Sequence, residues 1–223
     1  MKFTHTSNTN YNQLELYENR LKNTNLTWCN QILKLIKPSI KKTTIKLNDI
    51  GCNYFQFYKE IKRLKLEKSF NYFGYDIDNK FIELGLKYFP ELRNKSSIKN
   101  VEDFLPRNAE ISVISATLEH CDNPFKLLKN ICNSSSKKVF LRTFLGKENI
   151  VKLQDDKKYV KSPYFINQFS FDEIINFFLK FVANHNISLV YVTHNLKYAS
   201  MARYKYELNN KNLVLKWINL LYI

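Results

Sequence analysis

Several features that would assign a protein to a class at once are missing from this chain of 223 residues. No run of about 20 apolar residues occurs, so a membrane-spanning helix is not expected. The four cysteines show no Cys-x-x-Cys spacing, which predicts reduced thiols rather than a zinc ribbon, another metal site or a disulfide scaffold. Gly-x-Gly-x-x-Gly is absent too, which argues against a dinucleotide-binding enzyme.

Arginine is also scarce, with 6 residues against 29 lysines, although the net charge is +15. Lysine, asparagine and isoleucine make up 75 of the 223 residues, and their codons are rich in A and T. A biased genome would therefore raise the lysine content without reference to any ligand. Because arginine is favoured for bidentate phosphate and base recognition, a nucleic acid is the less favoured partner.

The apolar share of 44% is enough for a sizeable core, and the length suits one domain with a modest elaboration. The N-terminal residues are polar and lack the apolar core of a secretory signal, so a cytoplasmic location is expected. Periodicity predicts an N-terminal helical cap over 1–40, in which one helix covers 11–37, and an α/β domain over 41–223, with an insertion at about 145–168.

Predicted strands alternate with predicted helices of 10–15 residues from about residue 44 onward. This alternation predicts a three-layer, Rossmann-like α/β fold with a mostly parallel sheet. A hairpin around Asn209-Asn210-Lys211 predicts an antiparallel C-terminal edge. Ligands of such sheets bind beyond the carboxyl ends of the strands.

Acidic and small residues stand at those ends. The first strand leads into Asp49, Gly51, Cys52 and Asn53, where a glycine allows close backbone approach and a helix follows. Asp76 and Ile77 follow the second strand, with Asp76 placed 25 residues after Gly51, near the spacing of an acid that accepts ribose hydroxyls. Asp78 is expected to cap the next helix, and Ser170 the helix that follows the insertion. The third segment offers Asp103 beside Phe104, which suits an adenine, and the fourth strand ends at Ser115. Asp49 as a simple turn cap, and Asp76 and Asp103 as solvated surface acids, remain open.

This order of motifs resembles the class I S-adenosylmethionine (SAM)-dependent methyltransferases of small molecules, over roughly residues 30–195. The resemblance carries an aspartate-x-glycine turn and a Leu-Glu-His segment after the fourth strand. It implies SAM as cofactor, with Asp49, Gly51, Cys52 and Asn53 near the methionine part, Asp76 on the ribose, and Asp103 with Phe104 at adenine. The turn departs from the family, which usually has glycine at alternate positions. Asn53 tolerates a left-handed backbone, whereas Phe55 cannot replace glycine where the backbone must touch a ligand.

His120 follows the fourth strand and is the candidate general base, with Glu119 orienting its ring. Pairing with Glu119 or capping of the next helix is the alternative role of His120. Arg142 is the candidate clamp for a phosphate or carboxylate. Tyr164 and Gln168 are candidate substrate contacts from the insertion, which is expected to act as a lid.

The combined reading predicts O-methylation of a small anionic or glycan-related metabolite. Two alternatives stay open. One is an RNA or DNA methyltransferase, in which lysines follow phosphates and aromatic side chains hold a base. The other is a non-catalytic binding module on a degenerate methyltransferase core, which the glycine-poor turn favours.

Overall fold

The computed structural model describes residues 13–40, 44–154, 164–182, 188–194, 204–209 and 212–217. Six helices and ten strands follow in these ranges: α1 (Gln13–Asn23), α2 (Thr27–Ile36), β1 (Ile45–Ile50), α3 (Gln56–Arg63), β2 (Phe70–Asp76), α4 (Asn79–Tyr88), β3 (Ser96–Ile98), β4 (Ala109–Ser115), α5 (Pro124–Ser134), β5 (Ser135–Gly146), β6 (Ile150–Gln154), β7 (Tyr164–Ser170), α6 (Phe171–Val182), β8 (Ser188–His194), β9 (Tyr204–Asn209) and β10 (Asn212–Trp217).

Two helices begin at residues that accept hydrogen bonds from exposed backbone amides. Asp78 accepts the N–H of Lys80 at 3.0 Å before α4. Ser170 Oγ accepts the N–H of Glu173 at 3.2 Å at the start of α6. Both confirm the helix starts predicted from sequence, because a cap replaces a hydrogen bond that the first turn cannot make internally.

The single helix suggested by the pattern over 11–37 is two helices in the described part of that range. Between α1 and α2, Leu26 has an extended backbone with ψ of 117°. The connecting residues are Thr24, Asn25 and Leu26, and threonine and asparagine favour caps and turns over helix interiors. The break allows α2 to bury its apolar side independently of α1.

The sheet is built as predicted. The strand order is β10-β9-β8-β5-β4-β1-β2-β3, with parallel pairing from β8 to β3 and antiparallel pairing of β9 with both β8 and β10. Residues 210–211, the tip of the predicted hairpin, lie outside the described residues. From β1 the chain adds β2 and β3 toward one edge of the sheet, whereas from β4 it adds β5 toward the other edge. The switch point therefore lies between β1 and β4.

The insertion contains regular structure. Strands β6 and β7 pair in antiparallel fashion, with Ile150 opposite Gln168 and Gln154 opposite Tyr164, and β7 also pairs with the end of β5. We call the antiparallel pair β6 and β7 the ribbon. It was not predicted from the sequence, because the segment is polar and its side chains show no clear alternation of apolar and polar residues. Residues 155–163 between the two strands lie outside the described part.

Two apolar layers cover the sheet. Alternate strand residues such as Leu47 and Tyr72 join a cluster with α2, α3 and α4 on one face, whereas Ile50 and Tyr75 join α5 and α6 on the other. This period of two is the expected result of strand geometry. The described residues of the N-terminal helices contribute Cys29, Ile32, Ile36 and others to the first cluster. No helix within the described ranges is long and apolar enough to cross a membrane.

Candidate functional site

The carboxyl ends of β1 and β4 carry the two left-handed residues nearest the switch point. Gly51 has φ of 69° just after β1, and Ala116 has φ of 54° just after β4. Left-handed backbone is unusual for a residue with a Cβ, and such strain is often found at functional sites. These two turns form the base of the candidate site.

The turn after β1 is tied to the end of β2. The N–H groups of Gly51 and Cys52 both donate to the Tyr75 carbonyl, at 2.8 and 3.0 Å. Asn53, with φ of 53°, donates its N–H to Asp76 Oδ2 at 2.8 Å. Asp76 therefore organises the turn besides facing the cleft.

Position 51 needs glycine because a neighbouring side chain leaves no room for a Cβ atom. A Cβ at this position would lie 2.0 Å from Thr117 Oγ1, and that hydroxyl donates to the Ile50 carbonyl at 3.2 Å. The sequence analysis expected a close approach to the backbone of Gly51. In this structure the group that approaches it is the side chain of Thr117.

Phe55 takes the left-handed conformation that would ordinarily call for glycine. Its φ is 65°, and its side chain is fully buried. The residue lines neither of the cavities described below, because its ring packs away from the cleft against Gly74 and Gly85. The prediction that Phe55 cannot replace a ligand-touching glycine does not apply here, since the backbone of Phe55 is not at the cleft.

A first cavity of about 340 Å³ opens between the ends of β1, β2 and β4. Its lining combines polar groups with apolar walls, and four lining residues carry carboxylates: Asp76, Asp78, Glu102 and Asp122. The residues that line it include Gly51, Asn53, Tyr75, Asp76, Ile77, Asp78, Ile98, Lys99, Asn100, Glu102, His120 and Asp122.

Asp76, the residue proposed from the sequence to bind ribose, lines this cavity. Its two oxygens accept the N–H groups of Asn53 and Asp78, at 2.8 and 2.9 Å. Burial raises the pKa of Asp76 to about 6, and these backbone hydrogen bonds oppose the increase. A carboxylate oxygen has more than one acceptor site, so Asp76 retains capacity to accept hydroxyl groups.

Asp103 and Phe104 do not enter the cavity. The Asp103 side chain is 54% exposed and pairs with Lys126 at 2.8 Å. Phe104 is exposed, and its ring lies 6.2 Å from that of Tyr75 and 5.0 Å from Lys99 Nζ. The acid of this segment that is buried at the cavity is Glu102, which accepts the N–H of Asn123 at 3.0 Å. Asp103, the acid proposed from the sequence, thus lies outside the cavity, whereas its neighbour Glu102 lines it. Residues 99–108 are not in a strand whose alternation would fix side-chain direction.

A second cavity of about 300 Å³ lies between the strand ends and the N-terminal helices. Asp49 and Cys52 line it on the β1 side, and both are buried. Asp49 Oδ2 accepts the Tyr72 hydroxyl at 2.7 Å. Desolvation raises the pKa of Asp49 to about 7, with the Tyr72 hydrogen bond opposing the shift.

The opposite wall of the second cavity is cationic and aromatic. Arg142 Nη1 donates to Ser115 Oγ at 3.1 Å, and its guanidinium lies 5.6 Å from the centre of the Trp28 ring. Arg20 on α1 lies 5.3 Å from the centre of the Tyr17 ring. All five of these residues line the cavity, which places the predicted Arg142 and Ser115 in the site and adds three side chains from the N-terminal helices.

His120 lines both cavities. Its Nδ1 lies 3.0 Å from the carbonyl oxygen of Phe165 in β7. A carbonyl can only accept, so Nδ1 carries the proton and Nε2 carries the lone pair in the neutral ring. The expected orienting group, Glu119, is instead buried, lines neither cavity, and accepts the Thr143 hydroxyl at 2.9 Å. The group that orients the ring of His120 is therefore the Phe165 carbonyl of the ribbon, and not Glu119. This contact joins residues far apart in the chain, so no local sequence pattern reveals it.

Tyr164 and Gln168 support the ribbon rather than line a cavity. Tyr164 is buried with its ring edge-on to His120 at 6.1 Å. Gln168 donates to the Glu148 carbonyl at 3.1 Å and lies over Gly146, where a Cβ would be 2.0 Å from its Nε2. Tyr164 therefore touches the site through His120, and Gln168 fastens β7 to the segment before β6.

Comparisons with known proteins give a likeness in structure alone. No protein-family model matches the chain. The curated proteins likewise give no match.

Among solved structures, DesVI of Streptomyces venezuelae is 11% identical with a TM-score of 0.54, over 81% of this chain and 90% of that one. A SAM-dependent methyltransferase from Methanosarcina mazei is 12% identical with a TM-score of 0.49, over 66% and 82%. The plantazolicin methyltransferase BpumL, solved with a pentazolic desmethylPZN analogue and SAH, is 21% identical with a TM-score of 0.42, over 55% and 47%. This chain thus spans about half the length of BpumL. The predicted fold of the class I SAM-dependent methyltransferases is confirmed.

Proposed function

We propose that this protein is a SAM-dependent methyltransferase that methylates an oxygen atom of a small anionic or glycan-related acceptor. The observation that carries the proposal is the meeting of two cavities at the switch point of the sheet. They share Gly51, Asn53, Ala116 and His120 as a common wall. One cavity is rich in carboxylates and the other in arginine, so two different ligands would meet at His120.

The first cavity has the chemistry that an adenosine group needs. Asp76 and Glu102 both line it. Asp76 would accept ribose hydroxyls, and Glu102 would accept an exocyclic amino group. Ile77 and Ile98 supply apolar surface for the rings. The Asp49, Gly51, Cys52 and Asn53 turn adjoins the second cavity and would hold the amino-acid part. When bound, SAM supplies a methyl group that its sulfonium centre already activates.

His120 supplies the proton acceptor. Because Nδ1 donates to the Phe165 carbonyl, Nε2 is the nitrogen that can take a proton from an acceptor hydroxyl. The ribbon holds the ring in this orientation through the same hydrogen bond, with Tyr164 against the ring edge. Such a base contributes typically about 10²–10⁴-fold to the rate.

Arg142 is the residue that favours an anionic acceptor. It lines the second cavity and is held by Ser115, so its guanidinium has a defined position near His120, which lines the same cavity. Planar guanidinium groups pair with carboxylates and phosphates through two parallel hydrogen bonds.

Calorimetric titration of the full chain with SAM and with S-adenosylhomocysteine (SAH) tests the cofactor assignment. We expect micromolar binding, weakened at least about tenfold by Asp76→Asn, the loss of one charge-assisted hydrogen bond. Asp103→Asn is the matched control, because Asp103 lies outside the cavity. Thermal unfolding of each variant separates lost binding from lost folding. Absence of binding in folded, ligand-free protein would overturn the proposal and leave the binding-module alternative.

A further inference from the structure

The cationic groups of the second cavity are unusual for this chain. Arginine supplies 6 of its 35 basic residues. Nevertheless, both Lys/Arg residues that line this cavity in the described part of the chain are arginines, Arg20 and Arg142. They come from α1 and β5, which are distant in sequence. The general excess of lysine therefore does not explain the charge of this cavity.

Arg142 is held on one side by a hydroxyl and on the other by an aromatic ring. Its Nη1 donates to Ser115 Oγ at 3.1 Å, and the guanidinium lies 5.6 Å from the centre of the Trp28 ring. Trp28 is stacked in turn on Phe57, with ring centres 6.0 Å apart and planes inclined by 13°. A guanidinium fixed in this way loses less freedom when it binds an anion than a mobile side chain would.

Arg20 is placed at the cavity by the docking of α1. Its guanidinium lies 5.3 Å from the centre of the Tyr17 ring. Tyr17 contacts Tyr54 and Phe81, with ring centres 5.4 and 5.0 Å away, and both of these residues belong to the core. The position of Arg20 therefore depends on packing between α1 and the α/β domain.

Little negative charge opposes the two arginines. Asp49 is the one carboxylate among the described residues that line this cavity. It accepts the Tyr72 hydroxyl, and burial raises its pKa to about 7, so the group is partly protonated near neutral pH. An anionic ligand would meet an electropositive wall.

We infer that Arg20 and Arg142 form a carboxylate-binding site in the second cavity, with Trp28 as the apolar wall beside it. The inference rests on the proposed function only in assigning the carboxylate to the methyl acceptor. The amino-acid part of the cofactor carries the same group, so the source of the carboxylate needs a separate arm of the test.

Calorimetry with benzoate as probe and benzamide as its neutral isostere tests the site. The full chain is titrated alone, saturated with 5′-methylthioadenosine, which lacks the amino-acid part, and saturated with SAH. We expect benzoate to bind the SAH-loaded protein at least about tenfold more tightly than benzamide, as expected for charge-assisted hydrogen bonds. Arg20→Gln and Arg142→Gln should each bring benzoate close to the affinity of benzamide.

Two variants serve as references. Arg93→Gln makes the same change of charge at an exposed position that lines neither cavity, and it should bind benzoate as the wild type does. Arg142→Lys keeps the charge but not the planar pair of donors, and it should recover only part of the affinity. Thermal unfolding confirms that each variant is folded.

The outcomes are distinct. In one outcome, SAH abolishes the binding of benzoate, methylthioadenosine does not, and Arg142→Gln binds SAH more weakly than the wild type does. This outcome supports the site but assigns its carboxylate to the cofactor. If Arg20→Gln and Arg142→Gln bind benzoate as tightly as Arg93→Gln does, the proposed site is overturned. If neither SAH nor methylthioadenosine binds, the proposed function fails, and benzoate binding to the protein alone still decides whether the arginine site exists.

Discussion

The ring of Phe55 fills the space that a Cβ atom on Gly85 would need. That atom would lie 2.4 Å from Phe55 Cδ2 and 3.0 Å from the backbone carbonyl carbon of Tyr54. A Cβ on Gly74 would lie 3.2 Å from the same ring. Two of the four glycines of the chain therefore accommodate a buried aromatic residue with a left-handed backbone. The turn that follows β1 lacks glycine at position 55 because glycines in β2 and α4 make room for the side chain.

We expect Gly85→Ala to destabilise the protein. Overpacking against a buried ring costs about 1–3 kcal/mol, and the better helix propensity of alanine offsets about 1 kcal/mol of it. Urea denaturation should therefore show a lower free energy of unfolding. The double variant Gly85→Ala/Phe55→Leu should lose less free energy of unfolding than the two single variants lose together, since the two side chains compete for one space.

Lys87→Ala in the same helix is the control for this comparison. Lys87 is exposed, so its replacement should change the free energy of unfolding by less than about 0.5 kcal/mol. A Gly85→Ala variant as stable as Lys87→Ala would show that Phe55 moves aside without cost.

Stability should fall as pH rises from about 4 to about 7, through Asp49 and Asp76. Their pKa values are raised from 3.8 to about 7 and about 6 in the folded protein, so the folded state binds more protons across this interval. The free energy of unfolding therefore decreases with pH there and becomes constant above the folded pKa. Chemical denaturation at a series of pH values measures this slope.

Asp49→Asn separates the two groups. An amide oxygen can still accept the Tyr72 hydroxyl, but the side chain no longer titrates, so the variant should gain stability relative to wild type as pH rises to 7. Tyr72→Phe removes a hydrogen bond that lowers the pKa of Asp49, and the inflection should move to higher pH. Wild-type and Asp49→Asn profiles that run parallel from pH 4 to 8 would rule out this account.

Glu102, and not Asp103, should affect binding of the cofactor. Glu102 is buried at the first cavity, whereas Asp103 is exposed and paired with Lys126. We expect Glu102→Gln to weaken SAH binding by about tenfold, the effect of one hydrogen bond to a charged group, and Asp103→Asn to leave it within about twofold. Calorimetry distinguishes the two adjacent acids, and a larger effect at Asp103 would contradict the structure.

The neutral ring of His120 should be protonated at Nδ1. The hydrogen bond to the Phe165 carbonyl requires this tautomer. In ¹⁵N-labelled protein at a pH where the ring is neutral, the Nδ1 and Nε2 shifts identify the protonated nitrogen, and His120→Gln assigns the signals among the 4 histidines. A proton on Nε2 instead would remove His120 from consideration as a base acting toward the cavities.

The sequence by itself determined the order of helices and strands, the mostly parallel sheet and the edge at which ligands bind. These follow from local rules: apolar periodicity, capping at Asp78 and Ser170, and the fact that parallel strands end at one side of a sheet. Asp49, Gly51, Asp76 and Ser115 line the two cavities because each stands at a strand end, where chain position and spatial position coincide.

Only the tertiary structure decided which side chains face the cleft and which groups hold them. Glu102 and Asp103 differ by one position in a segment without strand alternation, so their directions depend on contacts with α5. The Phe165 carbonyl reaches His120 across 45 positions, and Arg20 lines the same cavity as Arg142 because α1 docks on the core. Contacts between residues far apart in the chain arise from packing of whole elements, which no local pattern encodes.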